Sequence, residues 1–251
     1  MQNRTAIILS LGMLLEKVDT SGFIVTLLKK AKEENAEFAF TAELQKQAFL
    51  LSENFNQGKV EPEAFEAQLL QLLAIKTMQS SEFWSEWGNM LKLGEVAEKI
   101  QLMEEVGYEH NALVYLSSDT NNEHLKKIAK ECEEQKMTLD LTKQPMLFAE
   151  LPLYASCRVG KNRQELTKHI VRDIRSKEFN KPDAIILILG NPENIKDKSH
   201  QAVAKREFDA IAAWCEENGV TVKLHNQSLD ETLAQIFTLE SAATNTLNFC
   251  S

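Results

Sequence analysis

The chain has 251 residues, of which 43% are hydrophobic and 26% charged, the composition of an ordinary globular protein. Its 37 acidic residues outnumber 28 basic ones, and the resulting charge of −9 repels polyanions and argues against non-specific nucleic-acid binding. With only 9 Gly and 5 Pro, collagen-like and low-complexity classes are excluded, and long regular elements with short connections are expected.

Thr5–Leu11 (TAIILSL) is rich in β-branched and aliphatic residues, which predicts a strand buried on both faces. The apolar run Ala6–Leu15 follows Arg4 in the manner of a targeting segment. It is shorter than the about 20 residues a membrane span requires, and Glu16, Lys17 and Asp19 follow with no small-residue cleavage pattern. No membrane span is expected. Residues 19–90 then read as a small all-helical unit. Phe23, Leu27 and Leu28 recur at helical spacing, as do Phe65, Leu69, Leu72 and Leu73. Pro62 suits a first helical position, with Glu61 and Glu63 beside the positive end of the dipole.

After Gly94 the pattern alternates. Ala112–Leu116 predicts a strand, and Ser118, Asp119 and Asn121 are good caps for a helix bearing Leu125, Ile128 and Cys132. Leu166, Ile170 and Ile174 mark another helix. Ala184–Leu189 (AIILIL) is the strongest strand signal in the chain. A long helix with Phe208, Ile211, Ala212 and Cys215 on one face is ended by Gly219, and Val220–Leu224 is a further strand. Ser228 and Glu231 have capping-box spacing before a last helix with Leu229, Leu233, Ile236 and Phe237. Strands alternating with helices imply an α/β fold with a parallel sheet covered on both faces. The expected organisation is a discontinuous α/β core of residues 1–18 and 91–240, a helical insert over 19–90, and a flexible tail over 241–251.

Four segments carry a resemblance to a known family. Ile7–Leu15 (IILSLGMLL) resembles a first-strand motif in which hydrophobic residues precede Asp-x-Asp-Gly-Thr/Val-Leu. Ser118–His124 (SDTNNEH) is similar to a second motif, Ser-Asn-Thr-Asn-x-x-His. Ser156–Arg163 is similar to the approach to a third motif, Lys-Pro-Asp. The segment from Ile186 to Ile195 (ILILGNPENI) resembles a fourth, Asp-Asp-Asn-Pro-Glu-Asn-Ile. Together they resemble the haloacid dehalogenase-like (HAD) superfamily with an α-helical cap, over nearly the whole chain. The resemblance implies a Rossmann-like core, a cap inserted after the first strand, and Mg²⁺-dependent phosphoryl chemistry.

The chemistry is missing where the resemblance places it. Active members carry a nucleophilic Asp and, two residues on, an acid/base Asp; here those positions hold Ser10 and Gly12. The acidic pair of the fourth motif is Leu189 and Gly190. Mg²⁺ usually takes one or two carboxylates plus phosphate oxygens, so no metal or other cofactor is expected. A serine hydroxyl needs an adjacent base to attack, and Gly12 offers none. The expected function is therefore that of a catalytically inactive HAD-like protein that binds a protein or a small ligand. The alternative is a hydrolase or phosphatase with a rearranged site recruiting Asp119, Asp183 or Glu193, although Asp183 precedes its strand at the wrong end. A structural or oligomeric scaffold is a third reading.

Several residues carry candidate binding roles. Ser118 and Asp119 stand where an anion would meet a helix N-terminus, or where they simply cap the helix. Arg163 falls near the third-motif lysine, with Lys161 as competitor, and Asn191 retains the fourth-motif amide. Trp84 and Trp87 share a helical face and form either core packing or a partner surface. His110, His124, His169, His200 and His225 have no paired metal-ligand spacing, and His124 reads as structural. Cys132, Cys157, Cys215 and Cys250 lack Cys-x-x-Cys spacing, which suits reduced thiols in a cytoplasmic compartment. Neither a P-loop nor a dinucleotide fingerprint occurs.

Overall fold

β1 (Thr5–Ser10) runs through the middle of the protein, with Ala6, Ile7, Ile8 and Leu9 wholly inaccessible to solvent. A computed structural model describes residues 4–177, 181–194, 198–225, 228, 229 and 231–237. Ile195 of the fourth-motif resemblance and the tail over 241–251 lie outside the described residues. After a 3₁₀ turn at Leu11–Met13 the chain leaves through β2 (Lys17–Val18) and enters four helices. These are α1 (Thr20–Glu34), α2 (Ala42–Asn56), α3 (Pro62–Leu72) and α4 (Ser80–Gly88). β3 (Leu91–Lys92) brings the chain back, pairing antiparallel with β2 in the register Val18↔Leu91.

The second passage through the α/β body comprises α5 (Val96–Glu109), β4 (Ala112–Ser118), α6 (Asn122–Glu134), β5 (Leu139–Asp140), β6 (Met146–Phe148) and β7 (Leu151–Ala155). α7 (Ser156–Val159), α8 (Arg163–Ser176), β8 (Ala184–Gly190), α9 (Lys198–Glu217) and β9 (Thr221–His225) follow, and residues 231–237 are helical. Helix ends follow the capping chemistry. Pro62 opens α3, Gly219 leaves α9 with φ +60°, and Ser228 and Glu231 exchange backbone-to-side-chain hydrogen bonds in a capping box.

Seven strands form one sheet in the order β5-β6-β7-β4-β1-β8-β9. The pairs β1–β4, β1–β8, β4–β7 and β8–β9 are parallel, whereas β5–β6 and β6–β7 are antiparallel. The antiparallel edge and β7 are additions to the sequence reading. β5 and β6 are only two and three residues long, and Pro152 interrupts the strand pattern within β7, so periodicity has little to register there.

Period-2 alternation divides β1 between two apolar clusters. Ile7 and Leu9 pack with Ile100, Met103, Leu125 and Ile128 on the α5/α6 face. Ala6 and Ile8 pack with Leu166, Ile170, Ile211 and Cys215 on the α8/α9 face. Each fully buried Ile, Leu or Met side chain among these contributes about 1.5–3 kcal/mol relative to exposure. The helical unit α1–α4 has a third, separate cluster built on Phe23, Leu27, Phe55, Phe65, Leu69, Phe83 and Trp87. Among the described residues no helix is long and apolar enough to cross a membrane.

Candidate functional site at the strand ends and the helical seam

Parallel strands present their carboxyl ends at one edge of the sheet, which is where ligands bind in open α/β folds. β1, β4, β7 and β8 meet there. Ser10 pairs in register with Ser117, Ser118 with Ala155, and Leu9 with Ile188, which sets Ser10 beside Leu189. Ser10 is half-buried, and its neighbour Ser117 donates from Oγ to the Leu9 carbonyl at 3.3 Å. Leu189 is 5% exposed and belongs to the α8/α9-face cluster together with Ile8. Gly12 lies open, and a Cβ there would meet Ser10 Oγ at 3.6 Å and Val18 Cγ2 at 3.8 Å. The four positions thus offer a hydroxyl, two hydrogens and an isobutyl group, and no carboxylate. This donor set does not fit Mg²⁺, a hard ion that dehydrates reluctantly and is ordinarily held by carboxylates.

The substitute acids scatter. Asp183 stands at the opposite end of the sheet, its carboxylate accepting from the Arg4 amide at 2.9 Å while its own amide donates to the Arg4 carbonyl. Glu193 is exposed in the 3₁₀ turn Pro192–Asn194, where its amide is held by the Asn191 side chain at 2.9 Å. Ser118 ends β4, and the cap of α6 is Asn121, whose Oδ1 accepts from the His124 amide at 3.0 Å.

Asn121 also reaches the helical unit, donating from Nδ2 to Asn56 Oδ1 of α2 at 2.9 Å. His124 completes this seam. Its Nε2 donates to the Trp87 carbonyl at 3.2 Å, its Nδ1 accepts from Asn121 Nδ2 at 3.3 Å, and its ring stacks on Trp87 with centroids 5.0 Å apart. Burial holds the imidazole neutral, lowering its pKa to about 4, while the bond to Trp87 opposes that shift. Trp87 is 5% exposed, and half-buried Trp84 donates from Nε1 to Glu66 at 2.7 Å. The tryptophan pair is therefore placed in the packing of the helical unit, with Trp87 facing α6.

A backbone contact closes the seam further along. Gly58, between α2 and α3, has φ +67°, and a Cβ there would sit 2.6 Å from the Cys157 carbonyl oxygen. Only glycine combines that dihedral with that approach. Gly58→Val is expected to destabilise the protein by about 1–3 kcal/mol and to raise hydrogen exchange at Asn56 and Asn121. Unchanged stability and exchange would contradict the contact.

Beside this seam lies a cavity of about 260 Å³ lined by Glu53 of α2, Gln57 at its C-cap, Asp119, the α8 start Asn162-Arg163-Gln164, and Arg206, Glu207 and Ala210 of α9. Asn162 caps α8, accepting from the Glu165 amide at 2.9 Å, so Arg163 occupies the first helical position. Burial raises the Glu53 pKa, and the charges of Glu207 and Asp119 raise it further. Burial also raises Glu207, with Arg163 opposing and Asp119 adding to the shift. Of the candidates read from sequence, Asp119 and Arg163 line this cavity; Ser118, Lys161 and Asn191 are not among its lining residues. Sequence reading missed Glu53, Gln57, Gln164, Arg206 and Glu207. Their only linear signal is polar residues along α2, α8 and α9, which any solvated helix shares.

No family model matches the chain, and no curated protein matches it significantly. Solved structures do. The HAD family enzyme BT-2542 of Bacteroides thetaiotaomicron aligns over 94% of this chain and 98% of its own, with TM-score 0.57 and 16% identity. A variant of that enzyme with an aspartate changed to alanine, in complex with magnesium and inorganic phosphate, gives TM-score 0.52 at 15% identity over 90% of this chain and 95% of its own. Its magnesium complex gives TM-score 0.50 at 18% identity over 90% of this chain and 94% of its own.

Proposed function

We propose that this chain, which has the fold of a HAD-family enzyme, uses that fold for binding and not for phosphoryl transfer. The helical unit acts as a cap, and a small ligand is held where cap and core meet. The observation that carries this reading is the composition of the strand ends. Ser10, Gly12, Leu189 and Gly190 occupy the positions to which the family resemblance assigns acids, and the Leu189 side chain is packed into the core. Removing one oriented acid–base group typically costs about 10²–10⁴ in rate. Here nucleophile, acid–base group and metal ligands are all absent; their losses do not add, because groups that act as a unit fail together, but the loss of any one already removes efficient turnover by that route. The hydroxyl of Ser10 has no base on Gly12 to activate it.

A phosphomonoesterase assay with and without Mg²⁺ tests this. The natural protein is expected to release no phosphate above the buffer rate. Beside it run the variant Ser10→Asp, Gly12→Asp, Leu189→Asp, Gly190→Asp and a triple variant retaining Leu189. The triple variant matters because Leu189→Asp buries a carboxylate, whereas a Cβ at Gly190 meets nothing within 4 Å and one at Gly12 meets only ordinary contacts. Turnover in either folded variant would mean that acids alone were missing. Mg²⁺-dependent turnover by the natural protein, abolished by Ser10→Ala, would overturn the reading.

A further inference from the structure

The cavity between α2 and the α8/α9 face differs from the strand ends in carrying charge of both signs. Glu53 approaches from the cap, and Asp119 and Glu207 from the core, close enough that both core acids disfavour ionisation of Glu53. Arg163 stands on the core side of the same cavity, where its charge acts on Glu207. It also sits at the positive end of the α8 dipole, which favours an anion beside it. Arg206 lines the cavity too, with its Nε turned back to the Ala202 carbonyl at 3.3 Å. Among the described residues, none of Glu53, Asp119, Arg163 and Glu207 forms a side-chain ion pair within 4.0 Å.

Carboxylates that repel one another, Glu53 half-buried and Asp119 and Glu207 exposed, face a guanidinium with which they form no ion pair within 4.0 Å, and so complement a molecule that brings both charges itself. We propose that this cavity binds a small zwitterion, its ammonium held among Glu53, Asp119 and Glu207 and its carboxylate or phosphate held by Arg163. The inference rests on the reading of the cap–core seam as a ligand site and names the class of ligand. The volume of about 260 Å³ is below the ~300–1,000 Å³ of sites for drug-sized molecules, which suits a compact metabolite. The amide side chains of Gln57 and Gln164 line the same space and can serve the neutral polar atoms of such a molecule. Because Glu53 belongs to the cap and the other two acids to the core, the ammonium also cancels repulsion across the seam. The ligand thereby clasps the two parts.

Isothermal titration calorimetry on the full chain tests the proposal. The probes are O-phosphoethanolamine and β-alanine as zwitterions, with ethanolamine and methyl phosphate as the separate halves. At least one zwitterion is expected to bind about tenfold or more tightly than either half, the scale of one charge-assisted hydrogen bond. Glu53→Gln and Arg163→Gln are each expected to weaken it about tenfold, and Glu98→Gln on exposed α5 surface to leave it unchanged. Failure of both zwitterions to bind at millimolar concentration overturns the proposal. So does a half that binds as tightly as the whole, or affinity indifferent to both cavity variants. Phosphate release from O-phosphoethanolamine would instead contradict the non-catalytic reading, while loss of binding in Arg163→Gln would still support this site.

Discussion

Phe65→Ala is expected to lower the unfolding free energy by about 3–5 kcal/mol, with the damage confined at first to the helical unit α1–α4. Phe65 on α3 is wholly buried and stacks on Phe55 of α2, with centroids 4.2 Å apart and planes within 6°. It also meets Trp87 edge-on at 4.9 Å and Phe83 at 6.0 Å. Truncation to alanine removes an aromatic body from the centre of a cluster that shares no member with the two clusters of the sheet. The cavity left behind adds to the lost transfer free energy because the surrounding rings relax only in part. Hydrogen exchange should therefore rise across α1–α4 before β1, β4 and β8 lose protection, and ligand binding at the seam should weaken as α2 loosens. Uniform loss of protection through the sheet and the helical unit would show that the two parts unfold as one unit.

The second large effect is a pH dependence carried by His124. Its imidazole has an ordinary pKa of 6.5 and is lowered to about 4 by burial in the seam. The unfolded chain therefore binds a proton that the folded chain refuses between those two values. Stability from this group is fully present above pH 6.5, falls as pH drops towards 4, and has been lost below it. The slope approaches about 1.4 kcal/mol per pH unit, and the total is on the order of 3 kcal/mol. Urea midpoints across pH 4–7.5 for the natural protein and His124→Gln measure this. The substituted protein should be less stable at neutral pH and lose about one proton's worth of slope. Burial also lowers the His225 pKa, so part of the acid sensitivity should survive in the variant. An identical slope in both proteins would refute the assignment to His124.

His124 also illustrates what a linear reading supplies. Its position in the segment Ser118–His124 suggested a structural role, and its two ring nitrogens are indeed engaged within the seam. What no spacing could reveal is the partner, because the Trp87 carbonyl arrives from another part of the fold. The tryptophans follow the same logic. Their three-residue spacing put them on one helical face, but only packing against Phe23, Phe55 and Phe65 buries Trp87, and only the approach of α4 to α6 stacks it on a histidine.

Arg163 and Lys161 differ in the same way. By sequence both lie near the third-motif lysine, whereas Asn162 as N-cap makes Arg163 the first residue of α8 and brings it to the cavity. The acids facing it had no linear signature. Glu53 and Glu207 lie on helices far apart in the chain and meet because α2 descends onto the core at Gly58 and Asn121.

The sequence by itself determined the strands β1 and β8, the helices α6 and α8 between them, the helical stretch after the first strand, and the lack of acids at residues 10, 12, 189 and 190. Those features are local: aliphatic runs, helical periodicity, capping residues and residue identity need no distant partner to be read. Tertiary structure alone decided the antiparallel edge β5–β7, the burial of Trp87, the seam through His124, and the mixed-charge cavity beneath α2. Each of these depends on contacts between segments remote in the chain, whose geometry is set by how two faces of a sheet and a separate helical cluster pack together.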